Sequence, residues 1–319
     1  MKNKDPHRSD LVIRTAWLYY TYGLTQEEIS KRLVISRAMV QRMLSQASEE
    51  GIITWRIEHP LVECLNLEDR LIQKYHLKIC RVCPFDIGSY DDLRQGLGLI
   101  GSGVMEQFFR SEQPQIVGLG TGRIIKECVR LLPPMECHRH KVVSLLGSIK
   151  QDGSANPFDS VMMLADKIMA ERYFLPAPLV AVDAEELEML RRQLIYKKVI
   201  QIAEKTDVAF IGIGPVSQNC PLQRDGFMSD KILQEAIDNG AVGEYLGHLF
   251  NEEGKLLDND FNLRNAGITL PIPPKGNVVA LSGGHDRHQA IQAALKGQWL
   301  NGLVTDAQTA EFLLEINLK

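Results

Sequence analysis

The spacing of apolar and polar positions changes character near residue 58. Before it, apolar residues recur at helical intervals. Val12, Ala16 and Tyr19 share one face of a segment over 8–22, which Gly23 stops. A second helix starts at Thr25-Gln26-Glu27-Glu28. There the Thr hydroxyl and the Glu carboxylate satisfy each other's orphan backbone donors as a capping box. Ile29 and Leu33 lie four apart on its inward face. Val34-Ile35 makes an apolar turn, and Ser36 is a good N-cap for a third helix. Val40, Leu44 and Ala47 form the buried stripe of that helix, with Met43 beside them, and Gly51 ends it. Residues 52–58 alternate as a short strand, a wing, which His59-Pro60 breaks. An amphipathic helix over 61–76 follows, through Cys64, Leu67, Leu71 and Tyr75.

From about residue 78 strands and helices alternate. Helices are predicted over 125–132, 160–173, 286–296 and 306–316. Between them lie β-branched runs that end in glycine, at 115–120, 142–147, 207–214 and 277–284. Continuous apolar strands followed by helices predict an α/β domain with a parallel sheet covered on both faces. Residues 215–230 are polar and irregular, and read as a loop over a site. The expected division is a helix-turn-helix domain at 1–58 and a large Rossmann-like α/β domain at 59–319.

The composition is that of a globular protein. The chain has 319 residues, 45% hydrophobic and 24% charged, enough for a small and a large domain. No apolar run approaches the ~20 residues that cross a bilayer. The N-terminus, MKNKDPHRSD, has no apolar region of a secretion signal. Six scattered cysteines, with one CxxC at Cys80 and Cys83, lack the partners of a zinc site, so reduced thiols in a cytoplasmic protein are expected. No metal or cofactor is expected. Net charge is −4, unusual for a partner of DNA. Its division resolves part of this: the helical head carries a small basic excess and the remainder is acidic. Affinity for phosphates is therefore expected to be weak per head, and to need several heads on one DNA.

Two constellations carry chemistry. The first is the outer face of the third helix, with Ser36, Arg37, Ala38, Gln41, Arg42 and Ser45, preceded by Thr25 and Gln26. Arg takes guanine N7 and O6, Gln pairs with adenine, and Ala leaves room for a thymine methyl. The bland alternative is a helical hairpin with an ordinary polar face. The second is a set of glycine-rich strand ends. In Gly118-Leu119-Gly120-Thr121-Gly122-Arg123 a strand runs into a helix start, where glycines, free N–H groups and a cation suit a phosphate. In Ser282-Gly283-Gly284-His285-Asp286-Arg287 a cation falls in a first helical turn, which a bound anion would relieve. His285 and His288 read as polar lining or surface. Gly212 and Gly214 end another strand, and Glu244 is a candidate acceptor for sugar hydroxyls. GxSxG, HExxH and kinase signatures are absent from the sequence.

The segments TAWLYYTYGLTQEEISKRLVISRAMVQRMLSQASEEGII, DVAFIGIGPVSQ, GAVGEYLGHLF and SGGHDRHQAIQAALKGQWLNGLVTDAQTAEFLL resemble the SorC family of bacterial transcriptional regulators over nearly the whole chain. The resemblance implies an N-terminal helix-turn-helix that binds operator DNA. It also implies a C-terminal domain folded like sugar-phosphate isomerases that binds a phosphorylated sugar, and a tetramer. Carried onto this sequence, the effector site is Gly118, Gly120, Thr121, Gly122, Arg123, Gly147, Ser148, Gly214, Glu244, Gly284 and Arg287. Five positions depart from the family pattern, one of them Ser148, which stands where the family has a second glycine after Gly147. Thr121 replaces a Trp, Ile124 a Thr, Arg287 a Lys and Glu244 an Asp, which implies an effector of different shape. Two rival readings are an isomerase-like enzyme with an accessory head and a nicotinamide-dependent regulator. The first lacks the isomerase's acidic motif and Lys-Gly segment, and the glycine-rich turn at 118–123 is not the GxGxxG that the second needs.

Overall fold

A computed structural model describes residues 6–53, 61–84, 88–150 and 152–316. They fall into two compact units, 1–59 and 60–319.

In the first unit α1 (Pro6–Tyr20), α2 (Gln26–Leu33) and α3 (Arg37–Glu49) pack on one another. The capping box is formed: Thr25 N–H donates to the Glu28 carboxylate at 2.8 Å, and Glu28 N–H to the Thr25 hydroxyl at 3.3 Å. The Ser36 hydroxyl accepts from Met39 N–H at 3.2 Å and caps α3. Ile29, Val40, Met43, Leu44 and Ala47 are buried with Val12 and Ala16. Two positions differ from the helical reading. Leu18, not Tyr19, is the fully buried residue near the end of α1. Val34 does not fill the turn. It caps α2 at φ 57 and is 89% exposed, a left-handed conformation that is costly for a β-branched side chain, while Ile35 turns inward. Residues 54–58 of the expected wing, and the His59-Pro60 linker, lie outside the described residues.

The second unit begins with α4 (Leu61–Tyr75), β1 (Ile79–Cys83), α5 (Tyr90–Phe109), β2 (Ile116–Leu119) and α6 (Arg123–Leu131). Next come β3 (Lys141–Ile149), α7 (Val161–Ile168), β4 (Glu171–Pro178), α8 (Ala184–Arg192) and α9 (Leu194–Ala203). β5 (Val208–Ile211), β6 (Ile213–Pro215), α10 (Pro221–Arg224), α11 (Asp230–Asp238), β7 (Gly243–Tyr245) and β8 (His248–Phe250) follow. The chain closes with α12 (Asp260–Leu263), β9 (Asn277–Leu281), α13 (His288–Lys296), β10 (Gly302–Asp306) and α14 (Ala307–Leu313). Seven strands form one parallel sheet in the order β1-β10-β9-β5-β2-β3-β4. Every residue of β5 is buried. Val208 and Phe210 enter one core and Ala209 and Ile211 the other, so helices must cover both faces.

The sequence reading needs three corrections here. The helix expected over 160–173 stops at Ile168, where Met169 adopts a left-handed φ of 54°, and β4 begins at Glu171. No glycine or proline marks that stop. The strand expected over 207–214 is two strands. After β5 the chain leaves the large sheet at Gly212, and β6 pairs antiparallel with β7 in a small sheet of order β6-β7-β8. Residues 215–230 are not wholly irregular, since Pro221 opens the one-turn helix α10.

The strand order reverses between β2 and β5. From β2 the chain winds through β3 and β4 to one edge, and β5, β9 and β10 lie toward the other. In an open α/β sheet the crevice beyond the carboxyl ends of the strands at such a point is where ligands bind. No described helix is long and apolar enough to cross a membrane.

Candidate functional site

A cleft lies at that crevice. Its walls come from the residues after β2 (Thr121, Gly122, Arg123), after β5 (Gly212, Ile213, Gly214) and after β9 (Ser282, Arg287). Glu244 of β7, Tyr90 of α5, Asn156 and Phe158 complete it, with Pro221, Leu222, Asp225 and Phe227 from the segment before α11. Its free volume is about 100 Å³, several times the ~10–15 Å³ that one water needs on the same measure.

The β2–α6 turn is the anion-ready wall. Gly122 sits at φ 144°, in a conformation closed to side chains, and no side chain caps α6. The first turn of the helix, Arg123 to Ile125, lines the cleft. Its unpaired N–H groups and dipole place positive potential there. Arg123 adds a formal charge, but that charge has a partner. Its guanidinium meets both carboxylate oxygens of Asp225 at 2.7 and 3.1 Å and lies 4.1 Å from the centre of the Phe158 ring.

Arg287 enters from the β9–α13 turn with a side chain only 7% exposed. It donates to Gly283 C=O at 3.2 Å and to the Asp286 carboxylate at 2.8 Å, and lies over the Tyr90 ring. Glu244 comes from the small sheet. It is the cross-strand partner of Gly214, and a Cβ on Gly214 would fall 2.5 Å from its carboxylate. The glycine therefore makes room for the acid. Gly247 N–H donates to Glu244 at 3.0 Å. Burial pushes the Glu244 carboxyl up to about 7, against the opposing pull of that hydrogen bond and of the Arg287 charge.

Thr121, Gly122, Arg123, Gly214, Glu244 and Arg287 thus share the cleft, and four other expected positions, Gly118, Gly120, Gly147 and Gly284, do not line it. Gly118 and Gly120 lie in and just beyond β2, where an added Cβ would meet Leu145, or Ile211 and Leu246, at 3.0 to 3.3 Å. Gly147 lets β4 approach, since a Cβ there would sit 2.3 Å from two carbonyl oxygens. The Ser148 side chain lies outside the described residues. Gly284 N–H is already bound by the Asp306 carboxylate at 2.8 Å and the Thr309 hydroxyl at 3.1 Å. Asp306 escaped the sequence reading, although a strand ending in Asp-x-x-Thr before a helix is a legible N-cap. Asp225, Phe158 and Asn156 carried no such signal, because folding alone brings their loops to the cleft. His285 is exposed, and the buried His288 stacks on Phe312.

Among the described residues no cluster of His, Cys, Asp or Glu could hold a metal ion. Cys80 and Cys83 are buried free thiols, and burial pushes Cys80 up to about 12. In the first unit Ser36, Arg37, Ala38, Gln41, Arg42 and Ser45 are all exposed on α3 or at its cap. Gln26, Gln41 and Ser45 line one shallow hollow with Tyr19 and Tyr20. Thr25 is exposed too, with its hydroxyl engaged in the cap.

A three-helix head joined to an α/β domain with a cleft at its switch point defines a ligand-responsive regulator. Residues 59–315 match the family described as "Putative sugar-binding domain". The chain is 32% identical over 304 residues to the erythritol catabolism regulatory protein EryD of Brucella abortus, covering 95% of this chain and 96% of that protein. It is 32% identical over 314 residues to the transcriptional regulator LsrR of Enterobacter sp. (strain 638), covering 96% and 93%. The full-length sorbitol operon regulator SorC of Klebsiella pneumoniae shares the fold, with a TM-score of 0.71 at 24% identity, over 98% of this chain and 100% of that one. The chain belongs to the SorC family of sugar-responsive transcriptional regulators, and it is a DNA-binding regulator rather than an enzyme.

Proposed function

We propose that this regulator is a repressor of a carbohydrate or polyol catabolic operon, controlled by a phosphorylated sugar or polyol. The observation that carries the effector half is the uncapped start of α6 beside Arg123 and Arg287, with Glu244 in the same cleft. The phosphate sits on the 121–125 turn and Arg287, and hydroxyls meet Glu244 and the 215–230 segment. The relatives' names support the catabolic role, since EryD regulates erythritol catabolism and SorC a sorbitol operon.

The head, residues 1–58, binds a palindromic operator through α3 of paired subunits. Ser36, Arg37, Ala38, Gln41, Arg42 and Ser45 meet base edges and phosphates, with Thr25 and Gln26 at the start of α2. The larger domain, residues 59–319, assembles the chain as a homotetramer in the cytoplasm. Effector binding favours one arrangement of subunits over another and so alters the spacing of heads, a coupling that is reciprocal between the two sites.

The test is fluorescence anisotropy on DNA from upstream of the protein's own gene, with and without a panel of sugar and polyol phosphates. Tight, salt-sensitive binding that one phosphorylated compound alters is the expected result. Sequence-independent binding under every condition would remove the operator role. An unchanged operator affinity in Arg42→Ala would remove that side chain from the groove.

A further inference from the structure

We propose that Asp225 is a displaceable internal counter-ion, which makes the cleft select dianionic phosphate monoesters over monoanions and neutral sugars. This deepens the reading above and rests on its placement of a phosphate at the start of α6. Both arms of the Arg123 fork are occupied by the two oxygens of Asp225, at 2.7 and 3.1 Å. The pair is mostly withdrawn from water, with side chains 26% and 13% exposed. Phe158 covers the guanidinium plane. A bidentate carboxylate stands where two phosphate oxygens would bind, because carboxylate and phosphate present the same fork-matched geometry.

The way Asp225 is held differs from the way structural acids are held in this protein. Asp306 accepts from Gly284 N–H, Thr309 N–H and the Thr309 hydroxyl. Glu127 is gripped by Arg94 and Arg130. Among the described residues the Asp225 carboxylate has Arg123 alone. It lines the cleft, and it rides on a segment, 216–229, held otherwise by buried side chains such as Leu222 and Met228, by the bond from Val216 N–H to Val242 C=O and by hydrogen bonds from Gln218 and Gln223 to Gln234 and Asp230.

The exchange sets a charge threshold. A neutral sugar gives Arg123 nothing to replace the carboxylate. A monoanion replaces one negative charge by another. A dianion adds attraction from the start of α6 and from Arg287 that Asp225 does not exploit. Once displaced, Asp225 no longer ties residues 216–229 to α6, so the effector signal reaches that segment first.

Calorimetric titration of the full-length protein tests this with glycerol 3-phosphate, inorganic phosphate, glycerate and glycerol as probes. The wild type is expected to bind the two phosphates and to ignore glycerate and glycerol. Asp225→Asn is expected to bind glycerol 3-phosphate on the order of tenfold tighter, as removal of a competing charge at a part-buried site implies, and to accept glycerate. Phosphate bound equally or more weakly by the variant overturns the counter-ion role and leaves the phosphate site standing. If neither protein binds either phosphate at millimolar concentration, the phosphate reading falls as well. Hydrogen exchange on the wild type gives a check that needs no variant. Amides in 216–229 are expected to exchange faster with inorganic phosphate present, which has no polyol hydroxyls to hold the segment, and unchanged or slower exchange overturns displacement.

Discussion

The two glycine-ended turns that follow β2 and β9 look alike in sequence, and the fold gives them opposite characters. Each ends a buried parallel strand, opens a helix and carries an arginine at or near the helix start. After β2 no side chain caps the helix, and its first turn faces the cleft. After β9 the place of an anion is filled from within. The Asp306 carboxylate at the end of the neighbouring strand β10 binds Gly284 N–H and, with Thr309, ties the turn to α14. Ser282 and Arg287 reach the cleft from there, and Arg287 brings the charge. A glycine-rich strand end is thus a potential anion site, and the residue that the adjacent strand presents decides whether the chain itself supplies the anion.

The comparison breaks most sharply at Asp306. Asp306→Ala removes a buried acceptor from three donors, of which Gly284 N–H keeps the Thr309 hydroxyl as a second partner. The expected loss is about 3–5 kcal/mol of folding stability, since each orphaned buried donor costs roughly 1–3 kcal/mol. Denaturant unfolding measures it. A variant with wild-type stability and no effector response would make the β9 turn an anion site after all. Arg287→Ala probes the charged side chain by which that turn reaches the cleft. Effector affinity is expected to fall about a hundredfold, the scale of roughly 2–3 kcal/mol for a charge-assisted contact away from water. The melting temperature should change much less than in Asp306→Ala. If the two variants lose stability alike, Arg287 is a structural group.

Where the sequence was legible, local chemistry decided the outcome. Thr25, Glu28, Ser36 and Gly51 define α2 and α3 without help from distant residues, and the face left exposed on α3 is the one expected. The continuous apolar character of the runs that became β5 and β9 likewise predicted a doubly covered parallel sheet. Long-range pairing was not legible. Residues 207–214 read as one apolar strand, because the move from one sheet to another at Gly212 depends on β7, thirty residues on. Arg123 reads as a free cation until Asp225 is placed against it from 102 positions away. The Gly118, Gly120 and Gly147 spacings fit a phosphate loop equally well as the close approach of strands that they serve here.

Gly122 sharpens the β2 side. At φ 144° it has open space for a Cβ and the wrong backbone for one. Gly122→Ala is expected to cost about 1–2 kcal/mol through strain at the turn, with effector affinity reduced around tenfold. Gly212→Ala is the matched control. Its Cβ would make an ordinary contact, 3.5 Å from Thr121 C=O, at a backbone conformation open to alanine. It should be near neutral in both measurements. Equal effects from the two variants would show that crowding, not the backbone of the β2 turn, shapes the cleft.

The smallest effect separates the cleft's acid from its cations. The Glu244 carboxyl lies at about 7 in the folded protein, because burial outweighs the Gly247 N–H and the Arg287 charge. It returns to the ordinary carboxylate range near 4.5 on unfolding. The folded state therefore binds the proton more tightly. This group's contribution to stability is complete below about pH 4.5 and is lost as pH rises through 7. The Gln side chain of Glu244→Gln stays neutral throughout and keeps an acceptor for Gly247 N–H. Without effector, the variant should gain on the wild type between pH 5 and 8, by about 1 kcal/mol after allowance for partial solvent access. Urea unfolding at a series of pH values reads the difference. Parallel pH curves for the two proteins would mean that Glu244 is solvated and ionised across the range, and the Arg287 charge would then face a permanent carboxylate rather than one that ionises only near neutrality.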